Sequence, residues 1–304
     1  GNDDVARTWM YPRTREGGRL RIASVFAQWR TMRRLRREHY DFAIVMGGDE
    51  SHRGIRRAIA SGASRVVAFA ADSARYGRRL TDPLPPPAHG HETERMRALL
   101  APVAAMHPGV RSAVVPSTLQ VVAPRFALPV DADAFARRWL AERGLAERAY
   151  VVIGVGARRG KKRPSADQVA RWATRLQREH ALATVFVWTP GTTAEPGYPG
   201  DDVLAAGVVG RALPFLHAYR GPIRETLGLV FHAATSIFPD SGLMHFAAAS
   251  PGGVLGLFAD PADSSPAARW APLGPRARHV EAAKRVEDLD DDAIFAALTP
   301  LLRT

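Results

Sequence analysis

Leu229-Val230-Phe231-His232-Ala233-Ala234-Thr235-Ser236-Ile237-Phe238 runs into Pro239-Asp240-Ser241-Gly242-Leu243-Met244-His245-Phe246-Ala247-Ala248-Ala249, and the fold of the chain is read from this stretch. The apolar residues before Pro239 predict a strand, Asp240-Ser241-Gly242 a tight turn, and the run after it a helix. The first N–H groups of a helix have no internal acceptor, and the helix dipole adds partial positive charge at that end. A strand, a glycine turn and a helix start therefore make an anion site. Asp240, Ser241 and His245 bring three polar side chains to that point. It is the best place in the chain for a bound phosphate compound.

Working outward, strand-like and helix-like segments alternate, which predicts a parallel α/β architecture. Downstream come a strand over Gly253 to Phe258 and a helix over Asp291 to Leu302. Upstream, a helix over Ile223 to Ala234 precedes a strand over Thr235 to Phe238. Before these lie a helix over Ala132 to Glu142, a strand over Tyr150 to Val155 and a strand over Ala183 to Trp188, followed by a long loop to Gly210. Ser165 and Gln168 form a capping box for a helix whose apolar face carries Val169, Trp172, Ala173 and Leu176. In the first half, Asp41 to Met46 reads as a buried strand, Gly54 to Ala60 as a helix, and Arg65 to Ala70 as a strand. The Pro-rich segment Asp82 to His91 reads as loop, and Glu92 to Leu100 as a helix. At about 100–200 residues per domain, 304 residues make two domains. The expected division is 1–128 and 129–304, the second opening after Ala127-Leu128-Pro129.

Four constellations carry candidate chemistry. The loop Gly154-Val155-Gly156-Ala157-Arg158-Arg159-Gly160-Lys161-Lys162-Arg163-Pro164 leaves a strand and precedes the capped helix. Its glycines let the backbone approach a ligand, and its cations suit a diphosphate. It is not a P-loop, because the spacing to lysine differs and no Ser or Thr follows Lys161. The Asp240-Ser241-Gly242 turn is the second. Asp240 alone reads as an N-cap and His245 alone as a core histidine. With a basic glycine loop in the same half, ligand binding becomes the better reading of both, at the carboxyl edge of a parallel sheet. The third is a helix over Phe26 to Tyr40, with Phe26, Trp29, Met32 and Leu35 as a core-facing stripe. Its Arg30, Arg33, Arg34, Arg36 and Arg37 are either a solvated face or a docking face for an anionic membrane, at about 1 kcal/mol per basic residue. The fourth is Gly47-Gly48-Asp49-Glu50-Ser51-His52, another strand-to-helix turn, where Asp49, Glu50 and His52 read first as helix caps and second as acceptor contacts in a cleft. His89 and His91 have no third ligand at metal-site spacing.

Composition limits the alternatives. Without cysteine there is no disulfide, no Cys-ligated zinc and no Cys nucleophile. No apolar run is long enough for a transmembrane helix. A formal charge of +12 favours an anionic partner, although an Arg-, Ala- and Pro-rich composition also accounts for it. No helix-turn-helix, zinc or RNP-type signature points to nucleic acid.

These segments together resemble glycosyltransferase family 9, the lipopolysaccharide heptosyltransferases. The family carries an Asp-Thr-Gly-x-x-His-x-x-Ala-Ala turn, and here the run is Asp240-Ser241-Gly242-Leu243-Met244-His245-Phe246-Ala247-Ala248-Ala249. Its apolar strand ending Leu-Phe-Gly is matched by Val254-Leu255-Gly256-Leu257-Phe258-Ala259. Its Lys-x-Trp-Pro is matched by Lys161-Lys162-Arg163-Pro164. Leu35-Arg36-Arg37-Glu38-His39-Tyr40-Asp41 and His91-Glu92-Thr93-Glu94-Arg95 resemble its first-domain motifs. The resemblance covers most of the chain. It implies a GT-B fold, two Rossmann-like domains facing a cleft, the first on the acceptor side and the second binding the nucleotide-sugar. It implies inverting transfer of a heptose or related sugar from an ADP-sugar to a lipopolysaccharide-core or similar phosphorylated glycolipid acceptor, with no cofactor and no bound metal. Such an enzyme is expected in the cytoplasm, peripheral on the inner membrane of a Gram-negative bacterium. Carried over by position, Gly156, Ala157 and Lys161 contact the diphosphate, Ser241 and Gly242 offer it backbone N–H groups, Asp240 holds sugar hydroxyls, His245 supports the site, and Glu195 matches a ribose-binding acid.

Three departures stand out. Arg163 replaces the family's Trp before Pro164. Gly156-Ala157 stands where some members have hydroxyl residues. The family's general base is an Asp in the first loop of the first domain, after an apolar strand. Residues 1–18 are polar, apart from a strand candidate at Thr8 to Tyr11, so that segment is expected to be missing, and Asp49 is a weak substitute. The competing readings are a non-catalytic nucleotide-sugar binder and another GT-B transferase or epimerase with a different donor.

Overall fold

A computed structural model describes residues 5–10, 15–16, 19–107, 124–192, 200–262 and 266–303. The chain falls into two units, Gly1–Leu119 and Gln120–Thr304. In the first, β1 (Arg15–Glu16) and β2 (Arg19–Leu20) pair antiparallel. Then follow α1 (Ile22–Arg37), β3 (Phe42–Ile44), α2 (His52–Ser61), β4 (Arg65–Phe69), a 3₁₀ segment (Ser73–Arg79), β5 (Asp82–Leu84), α3 (Glu92–Ala98) and α4 (Ala101–Met106). Strands β3, β4 and β5 lie parallel in that order. Successive residues of β4 point to opposite faces, as strand geometry requires. Val66 and Ala68 pack with Ile55 and Leu80, while Val67 and Phe69 pack with Leu99.

Four expectations for this unit need correction. Asp82–Leu84 is a strand within the Pro-rich segment expected to be loop. It sits at the edge of the described sheet, where Pro83 gives up no central ladder bond. Arg65 clamps Asp82 through both carboxylate oxygens. The segment Asp41 to Met46 is strand only over Phe42–Ile44 and is half-buried. Helix α1 starts earlier than expected, and Phe26 and Trp29 are 63% and 53% exposed instead of facing the core. The half-buried residues are Ala27, Gln28, Thr31, Met32 and Leu35, so Met32 and Leu35 of the expected stripe are retained, with Ser24 buried. Periodicity specifies an amphipathic helix; it does not say which of two adjacent stripes is covered. The strand candidate at the N-terminus is irregular over Thr8–Met10, and Tyr11 lies outside the described residues.

The second unit contains α5 (Val130–Ala141), β6 (Tyr150–Gly154), a 3₁₀ turn (Gly160–Lys162), α6 (Ala166–His180), β7 (Ala183–Val187), α7 (Asp202–Val209), β8 (Leu216–Tyr219) and α8 (Ile223–His232). It continues with β9 (Thr235–Pro239), α9 (Gly242–Ala248), β10 (Val254–Ala259), α10 (Ala267–Trp270), β11 (Ala277–Ala282), a second 3₁₀ turn (Val286–Asp288) and α11 (Asp291–Leu302). Six parallel strands lie in the order β11-β10-β9-β6-β7-β8. Strands β6, β7, β9 and β10 are buried along their whole length, as parallel strands covered on both faces must be. On one face Tyr150, Val152, Val185 and Phe238 meet Trp139 and Leu140 of α5 and Leu229 of α8. On the other, Val151, Ile153, Phe186 and Ile237 meet Trp172 and Leu176 of α6 and Phe295 and Leu298 of α11. The capping box at Ser165 and Gln168 is formed in both directions. The long loop expected before Gly210 contains α7, and β8, α10 and β11 are further elements. Among the described residues no helix is long and apolar enough to cross a membrane.

Candidate functional site

The strand order of the second unit reverses between β6 and β9. From β6 the chain proceeds outward to β7 and β8, then returns to β9 on the other side of β6. The carboxyl edge at such a switch point is where open α/β sheets bind ligands, because the loops diverge there and leave a crevice. A cavity of about 380 Å³ occupies it. Gly154 and Gly156 line it after β6, Trp188, Thr189 and Pro190 after β7, Gly221, Ile223 and Thr226 at the start of α8, and Phe238, Ser241, Gly242, Leu243 and Phe246 around α9. Its glycines have steric reasons. A Cβ on Gly154 would lie 2.2 Å from the Phe238 ring, and one on Gly156 would lie 2.9 Å from Thr189 Oγ1.

Ser241 is the N-cap of α9, yet its side chain makes no capping bond. Its Oγ is buried and has no hydrogen-bond partner among the described residues. The N–H groups of Gly242 and Leu243 fall in the first turn, where no intrahelical acceptor exists. Unsatisfied donors and a buried hydroxyl thus share one wall of the cavity.

Two lysines approach the same sheet edge. Lys162 is 5% exposed, and its Nζ donates to Asp240 Oδ2 at 2.5 Å. Lys161 is more open, and its Nζ donates to Asp260 Oδ2 at 2.8 Å. Asp240 and Asp260 follow the neighbouring strands β9 and β10, which are in register at Pro239 and Leu257. Asp240 is therefore not the cap of α9; its backbone N–H donates to Leu257 O, and its carboxylate is an ion-pair partner.

Arg163, in place of the family's Trp, ties two loops of the cavity together. Its Nε donates to Ala157 O at 2.8 Å, and its Nη1 lies 3.1 Å from Asp201 Oδ1. Asp201 accepts from the Thr189 N–H. Burial pushes the Asp201 carboxyl up, against the opposing pull of Arg163. The adjacent Asp202 does the reverse. Arg220, then the Trp188 indole N–H, then the Gly191 N–H hold it down to about 2. Through Asp202 the Trp188–Gly191 wall is fixed to the start of α7.

Of the residues singled out by sequence, Gly156, Ser241 and Gly242 line one cavity. Asp240 and Lys161 stand beside it on separate ion pairs. Ala157 is buried, with its carbonyl on Arg163. His245 is half-buried on α9 and does not line the cavity. Glu195 lies outside the described residues. The sequence reading missed Lys162, Asp201 and the apolar wall of Trp188, Pro190 and Ile223. Only Lys162 left a signal, as the neighbour of Lys161.

In the first unit, the turn after β3 is held by buried charge. Gly48 N donates to Glu92 Oε1 at 2.6 Å, and Arg95 binds Gly48 O and Asp49 Oδ1. Glu50 accepts from Ala71 N and Tyr76 OH, and these bonds, the first foremost, lower its pKa. Ser51, not Asp49, Glu50 or His52, caps α2. Among the described residues no group of His, Asp and Glu could hold a metal ion.

Comparison with known proteins bears on the family and the fold. The model of glycosyltransferase family 9 (heptosyltransferase) matches residues 28–292. No curated protein matches. Among solved structures, E. coli ADP-heptose LPS heptosyltransferase II is 20% identical with a TM-score of 0.66, over 91% of this chain and 81% of that one. A family 9 glycosyl transferase from Veillonella parvula gives 15% and 0.67, over 91% and 79%. E. coli heptosyltransferase WaaC with ADP gives 13% and 0.63, over 92% and 79%. These likenesses establish the fold, GT-B with Rossmann-like α/β units. A family match spanning most of the chain, together with the Asp240-Ser241-Gly242 turn at the sheet's switch point, places this protein in glycosyltransferase family 9, the heptosyltransferases.

Proposed function

We propose that the chain transfers a heptose or related sugar from an ADP-sugar to a lipopolysaccharide-core or similar phosphorylated glycolipid acceptor, with inversion at the anomeric carbon. The observation that carries this reading is the switch-point cavity, apolar along Trp188, Pro190 and Ile223 and closed at one end by the open N-terminus of α9 with the unpartnered Ser241 hydroxyl. The apolar wall suits a nucleobase. The helix start suits the diphosphate. One relative, E. coli heptosyltransferase WaaC, is solved both with ADP and with ADP-2-deoxy-2-fluoro heptose.

In this reading the acceptor hydroxyl attacks the anomeric carbon while the bond from that carbon to the diphosphate oxygen breaks. Negative charge develops on the departing diphosphate. The N–H groups at Ser241 and Gly242, the close backbone at Gly156 and Ala157, and the Lys161 ammonium stabilise it, which is the main catalytic contribution of the second unit. No metal is assigned a part. Asp240 takes sugar hydroxyls, His245 supports the site, and Glu195 takes the ribose. The proton of the acceptor hydroxyl passes to a carboxylate. Asp49 is a poor candidate for that base, since Arg95 already holds it.

The test is direct. The protein is incubated with ADP-heptose and a deacylated core acceptor, and ADP release is followed together with the anomeric configuration of the product. Acceptor-dependent ADP release with inverted product is expected. Binding of ADP-heptose without any turnover identifies a binding paralogue, and failure to bind ADP or ADP-heptose removes the donor reading.

A further inference from the structure

Motif spacing assigns one lysine to the donor, but the geometry gives two adjacent lysines different carboxylates. Lys161 holds Asp260 with both side chains about one-third exposed, at 29% and 34%. Lys162 holds Asp240 with side chains only 6% and 14% exposed. A buried ammonium persists only where acceptors satisfy it, and removing one member of a buried pair leaves the other charge uncompensated. Lys162 engages Asp240 through Oδ2. Oδ1 takes no hydrogen bond from a described residue, and Asp240 stands beside the cavity, directly before Ser241, which lines it.

We propose that Lys162 is the positioning residue for Asp240: its ammonium fixes one carboxylate oxygen so that the other is presented to the hydroxyls of the donor sugar. Lys162 then governs recognition of the sugar, while Lys161 serves the diphosphate. This rests on the donor reading above. It differs from a merely structural ion pair in what it predicts for two ligands that share a diphosphate and differ by the sugar.

The experiment uses the full chain and compares ADP with ADP-heptose by calorimetry. Lys162→Met is expected to leave ADP affinity unchanged and to weaken ADP-heptose by about tenfold to a hundredfold, the loss of one hydrogen-bonded contact to a charged group. Asp240→Asn gives the same selective loss. The double variant loses no more than either single one, because the two residues act as a unit. Lys162→Arg, which keeps a cation, restores part of the ADP-heptose affinity. Equal weakening of both ligands by Lys162→Met, or weakening of neither, overturns the assignment. Where Lys162→Met does not fold, Lys162→Arg and Asp240→Asn carry the comparison, and equal loss of both ligands again overturns it. A wild-type chain that binds ADP but discriminates against no sugar variant overturns the sugar role alone. One that binds neither ligand overturns the donor reading from which it follows.

Discussion

Lys161 is the residue on which donor affinity is expected to depend most simply. It sits on a 3₁₀ turn beside the cavity, and its partner Asp260 is open enough to give it up to a diphosphate. Lys161→Ala should weaken ADP and ADP-heptose alike, by about 1.5–3 kcal/mol, the usual worth of a hydrogen bond to a charged group. Calorimetry with both ligands checks this, and unchanged affinity would return the diphosphate to the backbone donors of α9. The glycines give a second residue-scale contrast. An alanine at Gly154 puts its Cβ 2.2 Å from the ring of Phe238, which is itself buried in the core. Overpacking of that kind destabilises by about 1–3 kcal/mol. Gly242 has nothing within 4 Å of the equivalent position. Thermal melts should therefore show Gly154→Ala clearly lowered and Gly242→Ala close to wild type; the reverse order would contradict the packing described for β6 against β9.

At the scale of elements, the Trp188–Gly191 wall depends on the start of α7. Asp202 receives the Trp188 indole N–H, the Gly191 N–H and Arg220, which together hold its carboxyl down to about 2. An unfolded Asp titrates near 3.9, so the stabilisation from Asp202 is full above about pH 4 and is lost as pH falls toward 2. Acid melts should show Asp202→Asn less stable than wild type at neutral pH, with the gap closing through that window; a gap independent of pH would assign Asp202 a purely neutral hydrogen-bonding role. The wall was hard to see in the sequence, and the reason is physical. Strands β6, β7, β9 and β10 are buried on both faces and read as apolar runs. Strands β8 and β11 lie at the edges, are half-exposed, and leave no such run. Pro83 disguised β5. The glycine turns were legible because turn chemistry is local. The pairing of Lys162 with Asp240 was not, because adjacent lysines look alike until the register of β9 and β10 decides which carboxylate each one meets.

At the scale of the whole molecule, the charge of +12 calls for a use in association rather than in folding. Many arginines of the second unit are already paired, among them Arg163, Arg171, Arg175, Arg211, Arg220 and Arg224. In the first unit the exposed face of α1 carries Arg30, Arg33, Arg34, Arg36 and Arg37 with few acids beside them. A field of that sign draws in phosphorylated molecules over distances comparable with the Debye length, about 10 Å at 0.1 M salt, and fades as salt is added. Under the proposed function, the acceptor's phosphates are what this field acts on. The KM for a phosphorylated core acceptor should rise steeply with ionic strength while kcat changes little, because steering alters encounter and not the chemical step. The same acceptor stripped of phosphate should start from a higher KM and show a much flatter salt dependence. Equal slopes for the two acceptors would separate the charge of this chain from acceptor recognition and leave it as a property of an arginine-rich composition.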